Sequence, residues 1–275
     1  MIRKLYPEGK KKAFNITYDD GVWQDIPFVA LLNKYGLKGT FNLNSELMLN
    51  GFVWTHGCGI PIKRMPPEIA AKLYEGHEIA SHTLTHPYMQ GLSEGEIMYQ
   101  LGHDKWQLGQ FFGREISGFA LPFDYYSELI ARCAINCGFE YSRCSEESHS
   151  YAPPKDYYRW RTGIFHLNPG LKDFVEGFFS TDEELALCQI VGHSYDLDAE
   201  NMWAQMDGIL ARIAGDEDTV SMTNLELVRY LKAMDMAEIT HDRIVNHSGM
   251  ELWFMVDGQP IALSPGEDCT LSSEI

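Results

Sequence analysis

The sequence predicts an α/β fold: a mostly parallel sheet, open or closed into a barrel, with a small β appendage near the C-terminal end. Three observations lead there. Short β-like runs alternate with helical stretches over most of the 275 residues, the pattern of strands joined through helices. That alternation stops near Ala237, after which β-like runs follow one another across turn residues. The length suits one large α/β domain, or one barrel with a small addition.

Taken in order, Ala13 to Thr17 reads as the first strand and Gln24 to Tyr35 as a helix with apolar Ile26, Val29, Leu31 and Leu32. Gly39 to Asn44 follows as a strand, Pro67 to Glu75 as a helix, and Glu78 to Ser81 as a strand. The helix from Ser93 to Phe112 opens on a capping box, Ser93 with Glu96, in which each side chain satisfies the other's backbone N–H. Thr181 with Glu184 and Thr223 with Glu226 have the same form and predict two further helix starts. Strands are expected at Ile116 to Ala120 and Ala186 to Val191, and helices at Ser127 to Asn136, Ala199 to Ala214 and Asn224 to Met234. Beyond these, Ile239 to Asn246, Leu252 to Val256 and Ile261 to Leu263 read as strands, with Asp257-Gly258 a hairpin signal. The expected division is 1–237 for the main unit and 238–275 for the appendage.

Charge excludes some partners. With 22 Lys+Arg against 39 Asp+Glu the formal net charge is −17, a surface that repels phosphate backbones and anionic lipid. Neither nucleic acid nor a membrane is expected as a partner; a neutral small molecule or a bound cation fits. No apolar run of about 20 residues is present to span a bilayer. The first residues carry no apolar stretch of the kind an export signal needs, so a cytoplasmic location is expected. The six cysteines contain no C-x-x-C pair and read as small buried hydrophobes with reduced thiols.

Two segments carry the chemistry. Thr17-Tyr18-Asp19-Asp20-Gly21 ends the first strand, at the edge where parallel α/β folds place their sites. Adjacent carboxylates repel unless a positive charge lies beside them; a cation bound to one leaves the other free as a base. His82-Thr83-Leu84-Thr85-His86 directly follows the strand at 78–81. On a helical turn, residues four apart share a face, so both imidazoles reach one ion. Two imidazoles and one of the two carboxylates then form a three-ligand set that leaves positions open for water and substrate.

These segments resemble the polysaccharide deacetylases of carbohydrate esterase family four. The family's T-F-D-D motif is matched by Thr17-Tyr18-Asp19-Asp20, and its H-[ST]-x-x-H motif by His82, Thr83 and His86. The resemblance covers roughly 14–193 and implies a distorted (β/α) barrel of about seven strands, leaving the β appendage outside it. It further implies Asp19 as general base and Asp20, His82 and His86 as ligands of one divalent ion, with zinc the default for this donor set. The third motif, R-x-P-[FY], is half present: Leu121-Pro122-Phe123 keeps Pro and the aromatic, but Ala120 stands where arginine is expected. Arg159 or Arg161 is the candidate replacement, and Phe123 the candidate oxyanion residue. For the acetyl pocket the nearest candidate is Trp160. His193, ending Ile190-Val191-Gly192-His193, matches the family's general acid, with Asp196 or Asp198 available to hold its other ring nitrogen.

The implied activity is hydrolysis of a non-peptide carbon–nitrogen bond, deacetylating an N-acetylated amino sugar or oligosaccharide. Three alternatives stay open: an O-acetyl sugar esterase, a non-sugar C–N hydrolase on the same barrel, and a non-catalytic carbohydrate-binding relative. His56, His103, His149, His166, His241 and His247 read as surface or packing residues.

Overall fold

The structure, a computed structural model, describes residues 2–271. Its centre is the strand Lys12–Asp19, buried from Ala13 onward, as expected of a parallel strand covered on both faces. Ala186–Gly192 lies along one side of it. On the other side, Thr40–Leu43 pairs with its C-terminal half and Thr219–Ser221 with its N-terminal end. The parallel order continues outward through Glu78–Ser81, Gly118–Ala120, Tyr141–Glu147 and Trp160–Thr162.

The ring closes through a single glycine. Trp160–Thr162 pairs with the strand Tyr141–Glu147, and after Gly163 the chain resumes as Ile164–Phe165, paired with Ile190 and Val191. A Cβ on Gly163 would sit 2.4 Å from the carbonyl oxygen of Gln189, a separation only glycine avoids. The expected distorted (β/α) barrel is therefore present, with Phe14, Ile16, Phe41, Phe119 and Ile190 in its main core.

Differences from the sequence reading have local causes. Tyr141–Glu147, Trp160–Thr162 and Ile164–Phe165 are strands the pattern did not reveal, because Ser142, Arg143 and Thr162 are polar yet buried. The helix Leu171–Ser180 also went unread. Thr181 and Glu184 do not open a helix: Thr181 Oγ1 accepts from Glu183 N within a turn, and Glu184 Oε1 accepts from Lys4 N. The other two capping boxes form as expected, at the starts of Glu94–Phe112 and Asn224–Met234. The helix expected at 199–214 is two helices, Ser194–Ala199 and Trp203–Ala214. The strand expected at 239–246 is a hairpin of Ala237–Ile239 with Arg243–Asn246.

Leu252–Val256 and Gln259–Leu263 pair across the Asp257-Gly258 turn, both turn residues having positive φ. Ile2–Leu5, which the sequence reading left with the barrel, adds to this sheet by pairing with Leu252–Val256. A second core joins it to the barrel through Tyr6, Tyr141, Trp160, Tyr230 and Phe254. All six cysteines are free, and Cys133, Cys144 and Cys188 are buried while Cys58 is exposed. Among the described residues no helix is long and apolar enough to cross a membrane.

Candidate metal and catalytic centre

Side chains from five loops meet at the C-terminal edge of the barrel. A cleft of about 490 Å³ is lined by Asp19, Asp20, His82, His86, Phe123 and His193, with Tyr195 and Glu147 beside them. Backbone strain collects here. Asp20, Thr83, His86, Phe123 and Asp124 all have positive φ, 88° at Asp20 and 68° at the β-branched Thr83, conformations that persist only where surrounding contacts over-determine them.

The two histidines converge by a route other than the helical turn expected. Residues 82–86 form an irregular loop, with left-handed conformations at Thr83 and His86. Asn44 Nδ2 donates to the carbonyl oxygens of His82 and Thr83, and His86 N donates to Thr83 Oγ1. His82 Nδ1 donates to Ala120 O at 2.8 Å, which leaves the lone pair of Nε2 facing inward. The Nε2 atoms of His82 and His86 lie 3.1 Å apart. Burial lowers both imidazole pKa values, His86 to about 4 with the neighbouring His82 as second cause, so both rings are neutral at pH 7.

Asp20 completes the group. Its Oδ1 is buried, is ion-paired with Arg64 Nη1 at 2.8 Å, and lies 3.8 Å from His86 Nε2. Donor atoms of Asp20, His82 and His86 all fall within 4.8 Å of one another. One carboxylate and two imidazoles this close together are a donor set of the kind that binds a divalent cation. Tyr195 Oη donates to Asp20 Oδ2 at 3.0 Å, and Arg64 Nη1 donates to the Asp20 main-chain oxygen.

Asp19 points the other way. Its Oδ1 accepts from Arg143 Nη2 and, at 2.7 Å, from Asn42 Nδ2, while Oδ2 lies 4.0 Å from His82 Nε2. Burial alone would raise this carboxyl's pKa; the guanidinium of Arg143, with His82 and His193, outweighs it and holds the group below the ordinary range. Arg143 is fully buried and pairs with Asp19. Ala120 and Arg143 are register partners on adjacent strands, so the guanidinium reaches the site from the neighbouring strand at the same height. Arg159 and Arg161 do not reach it; both pair with Glu146.

His193 Nδ1 donates to Asp196 Oδ2 at 2.9 Å. The same oxygen accepts from His166 Nε2 at 3.2 Å, and His166 Nδ1 accepts from Tyr18 Oη at 2.6 Å. His56 Nε2 stands 3.6 Å from Asp196 Oδ1. His166, fully buried, and His56 both approach Asp196, behind His193. Burial depresses the His193 pKa, but the Asp196 bond and the charges of Asp20 and Asp19 raise it overall. Asp198 instead accepts from Trp203 Nε1.

Phe123 is 60% exposed, with its ring edge-on to His86 at 4.6 Å. Trp160 is elsewhere: it is buried in the second core, edge-on to Tyr141 at 5.8 Å. The sequence therefore indicated Asp19, Asp20, His82, His86, Phe123 and His193 as neighbours. It missed Arg143, Arg64, Asn42, Tyr195 and His166, whose positions depend on strand register and loop course.

Residues 7–142 match the family model for polysaccharide deacetylase. No curated protein matches the chain. Among solved structures, a protein described as a polysaccharide deacetylase from Mycobacterium smegmatis superposes with a TM-score of 0.60 at 14% identity, covering 86% of this chain and 96% of its own. A family 4 carbohydrate esterase from Streptomyces lividans, solved with acetate, gives 0.53 at 15% identity over 77% and 92%. A pseudoenzyme of that family from Bacillus anthracis gives 0.55 at 15% identity over 82% and 68%. These likenesses show the shared fold.

Proposed function

From a chain whose residues 7–142 belong to the polysaccharide deacetylase family, we propose a metal-dependent hydrolase that removes an acetyl group from an N-acetylated amino sugar or oligosaccharide. One observation carries the reading: ligand atoms of Asp20, His82 and His86, all within 4.8 Å of one another, form a single cluster lining the cleft. Asp20, His82 and His86 would hold one divalent ion, and two nitrogens with one oxygen suit zinc. When bound, such an ion polarises a carbonyl and lowers the pKa of water from 15.7 toward about 7.

The chain's own groups supply the proton transfers. Arg143 and Asn42 occupy Asp19 Oδ1, which leaves Oδ2 to take the proton of the attacking water. The Phe123 backbone N–H is the candidate donor to the developing oxyanion. His193, held by Asp196 through Nδ1 and kept protonated by its carboxylate neighbours, gives a proton from Nε2 to the leaving amine. Acetate and a free amine are the products. Arg143 beside Asp19 supports this reading over a non-catalytic relative.

The test pairs metal analysis with acetate release from N-acetylated chito-oligosaccharides. Asp20→Ala is expected to lose both bound metal and activity, whereas Asp19→Ala keeps metal and loses turnover. Full activity in Asp19→Ala overturns the base assignment. Acetate release from O-acetylated sugars alone points instead to the esterase.

A further inference from the structure

Three carboxylates around the cleft each have a basic neighbour before any ion enters. Arg143 accompanies Asp19, and His193 accompanies Asp196. The third carboxylate, Asp20, has Arg64, whose Nη1 lies 2.8 Å from Asp20 Oδ1 with both side chains buried. The contact is a buried ion pair, and the same Nη1 also donates to the Asp20 main-chain oxygen. Arg64 follows the hairpin of Val53–Thr55 with Pro61–Lys63, outside every motif that marked the site. It is anchored there: its guanidinium lies 5.0 Å from the Trp54 ring centroid, and its backbone bridges Val22.

Resting on the metal reading above, we propose that Arg64 is a resident counter-cation that weakens metal binding by neutralising the only carboxylate of the ligand set. His82 and His86 are imidazoles, so Asp20 is the one carboxylate within the ligand set. A fixed positive charge against its oxygen opposes its attraction for a divalent ion, and in a buried site it is poorly screened. The expected consequence is an exchangeable metal held more weakly than the same three ligands would hold it alone.

Zinc affinity of the full chain, measured by competition with a chromophoric chelator, tests this without reference to activity. Arg64→Gln, which keeps a donor for the Asp20 carbonyl and removes the charge, is expected to tighten zinc binding at least about tenfold. Arg64→Lys, which keeps the charge, is expected to stay within about threefold of the parent. Trp54→Ala, at a half-buried ring, frees the guanidinium to leave Asp20 and should tighten binding in the same direction should the glutamine variant fail to fold. Equal or weaker zinc binding in a folded Arg64→Gln, with the parent binding normally, overturns the role of Arg64 and leaves the metal reading standing. Binding in Arg64→Gln but not in the parent supports the proposal and removes metal dependence from the natural chain. Absence of binding in both overturns both.

Discussion

Arg143 donates to Asp19 from a strand position whose register partner is Ala120. Its guanidinium, fully buried, thus reaches Asp19 from the strand next to that of Ala120. Removing it leaves Asp19 buried without its guanidinium partner, with the Asn42 amide as its remaining side-chain hydrogen bond and its carboxyl pKa raised. Arg143→Met is therefore expected to lower kcat on the order of a hundredfold, with KM little changed. It should also destabilise the fold by about 3–5 kcal/mol, the usual result of breaking a buried ion pair from one side. Steady-state kinetics and thermal unfolding check both. Activity near that of the parent would show that Arg143 serves packing alone.

How far the sequence could go is clear from the same pair. Asp19, Asp20, His82, His86 and His193 were legible because each ends a strand or lies in the loop that follows one, and the parallel topology carries those ends to one edge. Arg143 was not, because Ser142 and Arg143 interrupt the apolar pattern of their strand and hide it. Arg64 depends on the course of a short hairpin, and His166 on a barrel closure made through Gly163. Trp160 misled for the opposite reason: its strand was not recognised, so its direction into the core could not be read. Capping chemistry served well at Ser93 and Thr223. At Thr181 it failed, since the same residue types also stabilise a turn.

The pairing of His193 with Asp196 predicts a pH profile. His193 has a raised pKa in the folded chain, so it remains protonated above its ordinary 6.5. As general acid it must be protonated, so kcat/KM should fall as pH rises through that elevated value. Asp196→Asn removes the charge holding the imidazolium and is expected to move this alkaline limb about 1–2 pH units lower. Stability follows the same sign: the contribution is full below 6.5 and is lost as pH rises through the folded value. Identical alkaline limbs in parent and Asp196→Asn would exclude His193 as the titrating acid.

Asp104 predicts a second, independent pH effect. It is buried on the helix Glu94–Phe112, accepting from Ser45 N and Oγ and, at 2.5 Å, from Ser81 Oγ, next to His82. Burial pushes its carboxyl up to about 6 from an ordinary 3.8, against the pull of those hydrogen bonds. A raised carboxyl stabilises the fold when protonated: the contribution is full below 3.8 and is lost as pH rises through about 6. At most about 3 kcal/mol is involved. Asp104→Asn cannot titrate, so its Tm should vary less than the parent's between pH 4 and 7. An unchanged pH dependence would show that Asp104 stays ionised throughout.

The barrel's closure makes the last prediction. At Gly163 an added Cβ would meet Gln189 O at 2.4 Å and Phe174 Cζ at 3.2 Å. The nearer atom belongs to the backbone of the neighbouring strand and cannot move aside without breaking the pairing of Ile164 with Ile190. Gly163→Ala should therefore destabilise by about 1–3 kcal/mol or more. It should also reduce activity, because Phe165 lines the cleft and His166 holds Asp196 just beyond the closure. Gly102 provides the contrast. It lies inside the helix Glu94–Phe112, and a Cβ there meets only Cys137 Sγ at an ordinary 3.7 Å. Gly102→Ala is expected to stabilise by about 0.5–1 kcal/mol through helix propensity, with activity unchanged. Thermal unfolding of the two variants should give shifts of opposite sign, and a shift of the same sign in both would mean that the Gly163 contact does not hold the ring closed.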